Sequence, residues 1–222
     1  MVVQDDGREH ELIDLFDLEP GVGGRAGTDA YLVHNEIRFS FELKSTTKNS
    51  VTTVRDFGEH YLEKWENRHW LIGFYDGAGK ELKHAIYGTP EMMSDWILEK
   101  ALYIEPDIKL AKFAVDGIDT SAVEALFGVK SKYSLSDAKR LQKKQLSVME
   151  YESEMDLEDG YSIDRMVELV RRRVRYLMHR GGTLNNPHIP GSYFNNWPRI
   201  KNDHAAALRR FVDSYLVRGS YF

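Results

Sequence analysis

The chain has no cysteine among its 222 residues. This excludes disulfides, thiolate metal centres and cysteine nucleophiles, and it fits a reducing compartment. Long apolar runs are missing too; none approaches the roughly 20 residues that a membrane-spanning helix needs, so no membrane partner is expected. A basic excess is also lacking, because 30 Lys and Arg against 35 Asp and Glu leave a formal net charge of −5. A negative total argues against nucleic acid only when charge is evenly spread, and here it is segregated along the chain. The first residues, Met1-Val2-Val3-Gln4-Asp5-Asp6, are acidic and carry no hydrophobic signal region, so a cytoplasmic location is expected. What is present is a 42% hydrophobic content, ample for the core of one domain with an insertion.

The most informative segment is a hairpin. Ile37-Arg38-Phe39-Ser40-Phe41-Glu42-Leu43-Lys44 alternates with period two, the signature of a strand with one buried face. Asp29-Ala30-Tyr31-Leu32-Val33-His34 reads as its partner, and Asn35-Glu36 as a tight turn, since Asn tolerates the positive φ such turns require. In that register His34 faces Ile37, Ala30 faces Phe41 and Asp29 faces Glu42. Residues directly opposed in an antiparallel pair have Cβ atoms roughly 5 Å apart. Two carboxylates that close repel each other unless a cation sits between them. Mg²⁺, a hard ion with oxygen ligands at about 2.1 Å, is the natural occupant, and Lys44 on the same face can meet a phosphate or an attacking water. A Glu-x-Lys triplet is common in so charged a chain. Glu81-Leu82-Lys83 repeats it, and Pro106-Asp107-Ile108-Lys109 offers another acid-x-Lys. Neither has an opposed acid on a hairpin approached through Gly21, Gly23, Gly24 and Gly27.

Further along, Val54, Phe57, Tyr61 and Trp65 recur at helical spacing and predict a helix over about 52–67, which also carries His60 and Lys64. Lys64 is expected to reach a phosphate, and Trp65 to be core. Trp70 to Tyr75 reads as a buried strand, Glu81 to Tyr87 as another, and Thr89-Pro90-Glu91 as a helix start running to about Leu102. A short strand near Ile108–Val115 and a helix from about Thr120 to Gly128 follow. Then come a basic helix from Ser134 to Met149 with Lys139, Arg140, Lys143 and Lys144, and an acidic loop from Glu150 to Asp159. A helix capped by Ser162 carries Arg171, Arg172, Arg173, Arg175 and Arg180 beside an apolar stripe. At least one of these arginines is expected to pair with Glu150, Glu152, Glu154 or Asp156, and others to contact phosphate. His204 to Val217 closes the chain as a helix.

Three stretches resemble one family: Gly24-Arg25-Ala26-Gly27-Thr28-Asp29-Ala30, Phe41-Glu42-Leu43-Lys44-Ser45 and Asn185-Asn186-Pro187-His188-Ile189-Pro190. With the buried strand at 70–77, they occur in the order found in the PvuII-like restriction endonucleases, a subgroup of the PD-(D/E)xK nucleases. The resemblance covers about the first 90 residues and 183–197. It implies an α+β fold of the α/β/α nuclease type, with a mixed, largely antiparallel sheet flanked by helices. It implies a single endonuclease domain over 1–222, bearing a mostly helical insertion at about 99–180. The implied activity is Mg²⁺-dependent cleavage of double-stranded DNA by a prokaryotic, cytoplasmic homodimer, with Mn²⁺ or Ca²⁺ able to replace Mg²⁺ in binding. Asp29, Glu42 and the Leu43 carbonyl would hold the metal, and Lys44 would orient the water. Asn185, Asn186 and His188 would enter the major groove, where an asparagine amide can pair bidentately with a base edge.

The chain departs from that family before its first helix. Its N-terminal segment is short, and the 99–180 insertion is expected to replace the missing dimer helices. Where the family carries a histidine-rich base-reading segment, this chain has Val51-Thr52-Thr53-Val54-Arg55. Methyl groups on Val51, Thr52, Thr53 and Val54 suit contact with the C5-methyl of thymine or 5-methylcytosine, and Arg55 suits guanine O6 and N7. Dependence on methylated cytosine is therefore one expectation. An equally simple reading makes Val51 and Val54 core and Thr52 a helix cap. Three other functions fit the same residues less fully: a repair or recombination nuclease that reads structure, a DNA-binding module without catalysis, and a scaffold with an incidental strand motif.

Overall fold

A computed structural model describes residues 3–21, 27–54, 57–141, 146–181 and 187–219. In chain order the elements are α1 (Val3–Phe16), β1 (Glu19–Pro20), β2 (Ala30–His34), β3 (Ile37–Thr46), β4 (Val51–Thr52), α2 (Glu59–Glu66), β5 (His69–Tyr75) and β6 (Leu82–Gly88). These are followed by α3 (Pro90–Asp116), α4 (Thr120–Phe127), α5 (Leu135–Leu141), α6 (Val148–Ser153), α7 (Ile163–Gly181), β7 (His188–Ile189), a 3-10 turn (Gly191–Phe194), β8 (Arg199–Ile200) and α8 (His204–Gly219). The fold is α+β. Six strands form one sheet in the order β1-β2-β3-β5-β6-β8, and β4 pairs with β7 in a separate ribbon. Only β3 and β5 run parallel; the other neighbours in the sheet are antiparallel.

The chain divides into two compact units, residues 1–102 with 185–222, and residues 103–184. In the first, the alternation of β3 decides which residues go where. Phe39, Phe41 and Leu43 are buried with Leu71, Ala85 and Tyr87 of the next strands, against Leu12 and Phe16 of α1 and Leu208 and Val212 of α8. On the opposite face an aromatic layer forms, with Trp65 of α2 edge-on to Trp70 at 5.3 Å and tilted against Trp96 at 5.7 Å between ring centres. Glu42 and Lys44 lie on this second face, so α2 roofs the polar side of a strand that otherwise would be open to water. The expected hairpin register holds: Ala30 pairs with Phe41 and His34 with Ile37, while Asn35 and Glu36 take φ of 51° and 63°. Asp213 of α8 pins the turn, accepting from Asn35 Nδ2 at 3.1 Å and lying 2.7 Å from His34 Nε2.

The second unit is helical around Val123, Tyr133, Tyr151, Tyr161, Met166 and Leu169. Arg172 pairs with Glu154 at 2.8 Å and Arg165 with the same carboxylate at 3.4 Å, one of the pairings expected from the arginine-rich helix. Arg171 donates to the Ile118 carbonyl at 2.8 Å. These arginines hold their own unit together.

Several elements differ from the sequence-based expectation. The helix expected to start near residue 52 begins at Glu59, because Val51 and Thr52 are drawn into pairing with Ile189 and His188. No strand forms near 108–115. Instead α3 continues through Pro106 to Asp116, and burial of Ile104, Ala111 and Val115 with exposure of Leu110 and Phe113 follows a helical period. The basic helix from Ser134 ends at Leu141 before residues outside the described set, and the expected acidic loop begins as α6. There the Ser147 hydroxyl accepts from the Glu150 backbone N–H while the Glu150 carboxylate accepts from Ser147 N–H, a reciprocal cap. The N-terminal helix α1 has no counterpart in the expectation, since the residues it packs into the core, Leu12, Ile13 and Phe16, all come in its last turns.

His69 opens β5 beside the core and is buried, 2.7 Å from the Tyr87 hydroxyl through Nδ1. Burial pushes its imidazole pKa down to about 4 from 6.5, against a smaller opposing pull from Glu91. The unfolded chain binds a proton near 6.5 that the folded ring refuses until about 4, so this stability is complete above pH 6.5 and is lost as pH falls between the two values. Its size is roughly 3 kcal/mol at about 1.4 kcal/mol per pKa unit. Side-chain NMR of the folded protein should find His69 neutral at pH 5; protonation near pH 6.5 would contradict the assignment.

Candidate active site

The hairpin places its functional groups by backbone register. Gly21 N–H donates to the Asp29 carbonyl at 2.9 Å, which ties the approach to the mouth of the hairpin. The approach is so close that a Cβ on Gly21 would fall 1.6 Å from the Thr28 carbonyl oxygen, so only glycine fits. The Asp29 carboxylate turns inward and accepts from the Leu43 backbone N–H at 2.9 Å. Glu42 projects beneath α2 and is only 1% exposed. A carboxylate so buried would be strongly destabilised if alone. It is not alone.

Lys44 Nζ lies 2.9 Å from Glu42 Oε1, 3.5 Å from Asp29 Oδ2, and donates to the Leu43 carbonyl at 2.6 Å. The ammonium thus touches one oxygen from each of the three groups expected to bind metal. Lys64, from α2, approaches the other side, 2.8 Å from Glu42 Oε2 and 3.8 Å from Asp29 Oδ1. The side chains of Lys44, Lys64 and Asp29 are 15%, 9% and 21% exposed, so the four charges are screened little by water. Burial would raise the Glu42 pKa, but Lys44 and then Lys64 outweigh it and hold the carboxyl below the ordinary range. Burial would likewise depress the Lys44 ammonium, but Glu42, Asp29 and Glu9 prevail and hold it well above the ordinary lysine value.

The donor set suits a hard divalent cation. Asp29 Oδ2, Glu42 Oε1 and the Leu43 carbonyl already converge on one positive group. Glu42 Oε2 is a second sign: it is buried without an aligned hydrogen bond, although Lys64 Nζ is in charge contact. Among the described residues, no group of three or more histidine, aspartate or glutamate side chains gathers, so the third protein oxygen here is main chain. Such mixed carboxylate and carbonyl sites are typical of Mg²⁺ and Ca²⁺.

The other expected residues fall into two groups. Thr52, Thr53 and His188 meet in the β4–β7 ribbon, which joins the two segments singled out for base reading although they lie far apart in the chain. Thr52 Oγ1 is 3.2 Å from His188 Nδ1, and both side chains are exposed. Thr53 is buried, and its hydroxyl donates to the Pro187 carbonyl at 2.8 Å, so it fastens the ribbon and has no spare group to offer a base. Val51 is core, which removes its methyls from base reading, and Val54 is half-buried. The Trp96 indole donates to the His188 carbonyl at 3.2 Å and anchors the ribbon to α3. Arg55, Asn185 and Asn186 lie outside the described residues, as do Gly23, Gly24 and Arg25.

Two features escaped the sequence. Lys64 was expected at a phosphate, yet its ammonium sits on the acidic pair. Arg68, one turn on, donates through Nε to the Lys64 carbonyl at 3.1 Å and through a second nitrogen to the Thr28 hydroxyl, clamping α2 to the residue before Asp29. Lysine and arginine four residues apart, the arginine just past the end of α2, were the only signal. The two decoy motifs separate clearly from the site. Lys83 pairs with Glu81 at 51% and 72% exposure, and Lys109 pairs with Glu105 at 73% and 52%, both open to water. A cavity of about 500 Å³ also opens on the site's face of the sheet, bordered by Phe74, His84, Asn195 and Arg199; none of the sequence-predicted residues lines it.

Glu42→Gln leaves Lys44 and Lys64 buried with Asp29 as their single shared counter-ion. Removing one partner of a buried ion pair costs about 3 kcal/mol or more, so urea unfolding should find this variant destabilised on that scale. Glu81→Gln, in the exposed decoy, should unfold like wild type. Equal stability of the two variants would contradict the burial and pairing described for Glu42.

Comparison with protein-family models, with curated proteins and with solved structures gives no match.

Proposed function

We propose that this protein is a Mg²⁺-dependent, site-specific endonuclease that hydrolyses phosphodiester bonds in double-stranded DNA, of the PvuII-like PD-(D/E)xK type. The observation that carries the proposal is the convergence of Asp29 Oδ2, Glu42 Oε1 and the Leu43 carbonyl on a single buried ammonium. An exposed strand motif has no need of such a layout; a cation site does.

Asp29, Glu42 and the Leu43 carbonyl would hold the divalent ion, which when bound supplies a polarised phosphoryl oxygen and a water of lowered pKa. Asp29 is oriented for this by the Leu43 N–H, and Glu42 by its place under α2. Lys44, once a bound ion has displaced it from these oxygens, would supply a positive donor in a poorly solvated pocket, suited to orienting the attacking water and stabilising charge that grows on the phosphate oxygens. The β4–β7 ribbon supports reading of sequence, because it couples Thr52 to His188. With Val51 and Thr53 buried, contact with a thymine or 5-methylcytosine methyl group falls to Thr52 and the half-buried Val54. One such site cuts one strand, so cutting both strands of a symmetric site calls for a homodimer.

Plasmid DNA, unmethylated and cytosine-methylated, incubated with the protein in Mg²⁺ or in EDTA tests this function. Discrete fragments that vanish in EDTA are expected, and their restriction to methylated plasmid would give Thr52 and Val54 the methyl-reading role. Lys44→Ala should slow cleavage by about 10²–10⁴-fold, the usual contribution of a positioned proton donor or acceptor, while Lys83→Ala and Lys109→Ala should cut normally. Undiminished cleavage by Lys44→Ala, or a smear in place of fragments, would reject the assignment.

A further inference from the structure

On the charge balance of the site, and resting on the nuclease reading above, we propose that Lys64 is a built-in counter-cation that holds the metal site closed until a DNA phosphate draws its ammonium away.

Two carboxylates, Asp29 and Glu42, face two ammonium groups, Lys44 and Lys64, across distances of 2.8 to 3.8 Å. These four side chains therefore balance in charge without any metal, and Glu9 adds a further negative charge near Lys44. Lys44 and Lys64 are not equivalent within it. Lys44 touches the inner oxygens, Asp29 Oδ2 and Glu42 Oε1, together with the Leu43 carbonyl. Lys64 touches the outer oxygens of the same carboxylates, Asp29 Oδ1 and Glu42 Oε2. A divalent ion that displaces Lys44 from the inner oxygens still meets the Lys64 charge behind them. Two positive charges on the ion and one on Lys64, about 6 Å apart, repel enough to weaken binding about tenfold even at the dielectric of water, and more in a pocket this dry.

The fold fixes the root of Lys64, while its head sits at the end of a flexible four-carbon stem, 2.8 Å from Glu42 and a looser 3.8 Å from Asp29. Its carbonyl is held by Arg68 Nε at 3.1 Å, which in turn is latched to Thr28. Its ammonium contacts Glu42 Oε2 without an aligned hydrogen bond. The Tyr61 ring lies 6.0 Å from the same Nζ and offers a face along which the head can swing. A phosphate entering beside the metal site presents the anionic oxygens that would receive it. Lys64 is thus a positioning residue that couples metal loading to substrate. The expectation that it meets a phosphate is then fulfilled only in the DNA complex.

Mn²⁺ binding to the DNA-free protein, followed by electron paramagnetic resonance, tests this directly. Lys64→Gln, or Lys64→Met if the amide variant folds poorly, should bind Mn²⁺ at least about tenfold more tightly than wild type. Lys64→Arg, which keeps the charge, should bind like wild type, and Asp29→Asn should bind far more weakly. Cleavage of plasmid by Lys64→Gln should fall even as its metal affinity rises. Equal or weaker Mn²⁺ affinity in both neutral variants, with Asp29→Asn still showing that the ion sits at the acidic pair, would overturn the Lys64 proposal and leave the nuclease reading standing. Mn²⁺ binding indifferent to Asp29→Asn would overturn both.

Discussion

Burial of the Glu42 carboxylate is the constraint around which the first unit is arranged. A charge with 1% exposure must be met by other charges or it would be driven neutral. The alternation of β3 leaves no choice of face: with Phe41 and Leu43 in the core, Glu42 must point to the side that α2 covers. The Trp65–Trp70–Trp96 layer sets α2 on that side, and Lys64 reaches down from it while Lys44 reaches across from the strand. Asp29 completes the balance through the hairpin register. Stability and candidate chemistry thus draw on the same four side chains. The cations that neutralise the buried acid are those a divalent ion would have to move.

The ribbon extends this economy. A two-stranded piece as short as β4–β7 has little stability of its own. It is held by the Thr53 hydroxyl on Pro187, by the Trp96 indole on the His188 carbonyl, and by close approach of Gly191 to Asn49, where a Cβ would fall 2.3 Å from the Asn49 oxygen. The segment that follows the acidic strand and the segment that precedes the C-terminal turn are thereby fixed to each other. Strands β3 and β4 follow one another in the chain, with the Thr46 hydroxyl closing the loop between them by donating to the Ser50 carbonyl at 2.8 Å.

The sequence disclosed what is local. Period-two alternation and an Asn-initiated turn were enough to set the hairpin register from Ala30–Phe41 to His34–Ile37. Strand β5 was legible as a continuous apolar run, and the cap at Ser162 as a helix start. What stayed hidden depends on distant partners. Val51 and Thr52 look like the start of a helix until Ile189 and His188, well over a hundred residues on, pull them into a ribbon. Pro106 looks like a break, yet α3 passes through it because Ile104, Ala111 and Val115 are buried at helical spacing. The place of Lys64 could not be read from α2 alone, since it depends on which face of the sheet the helix covers. The Glu81 and Lys109 motifs differ from the Glu42 motif in burial, a property that triplets of letters do not carry.

If Asp29, Glu42 and the Leu43 carbonyl form a cation site for which Lys44 stands in, a divalent ion must be able to take the place of its ammonium. Anomalous scattering from crystals soaked in Mn²⁺ to saturation would locate the ion directly. The expected result is a peak within coordination distance of all three oxygens, with the Lys44 ammonium moved off the Leu43 carbonyl. A crystal that takes up Mn²⁺ elsewhere while Lys44 keeps its contacts with Glu42, Asp29 and the Leu43 carbonyl would contradict it.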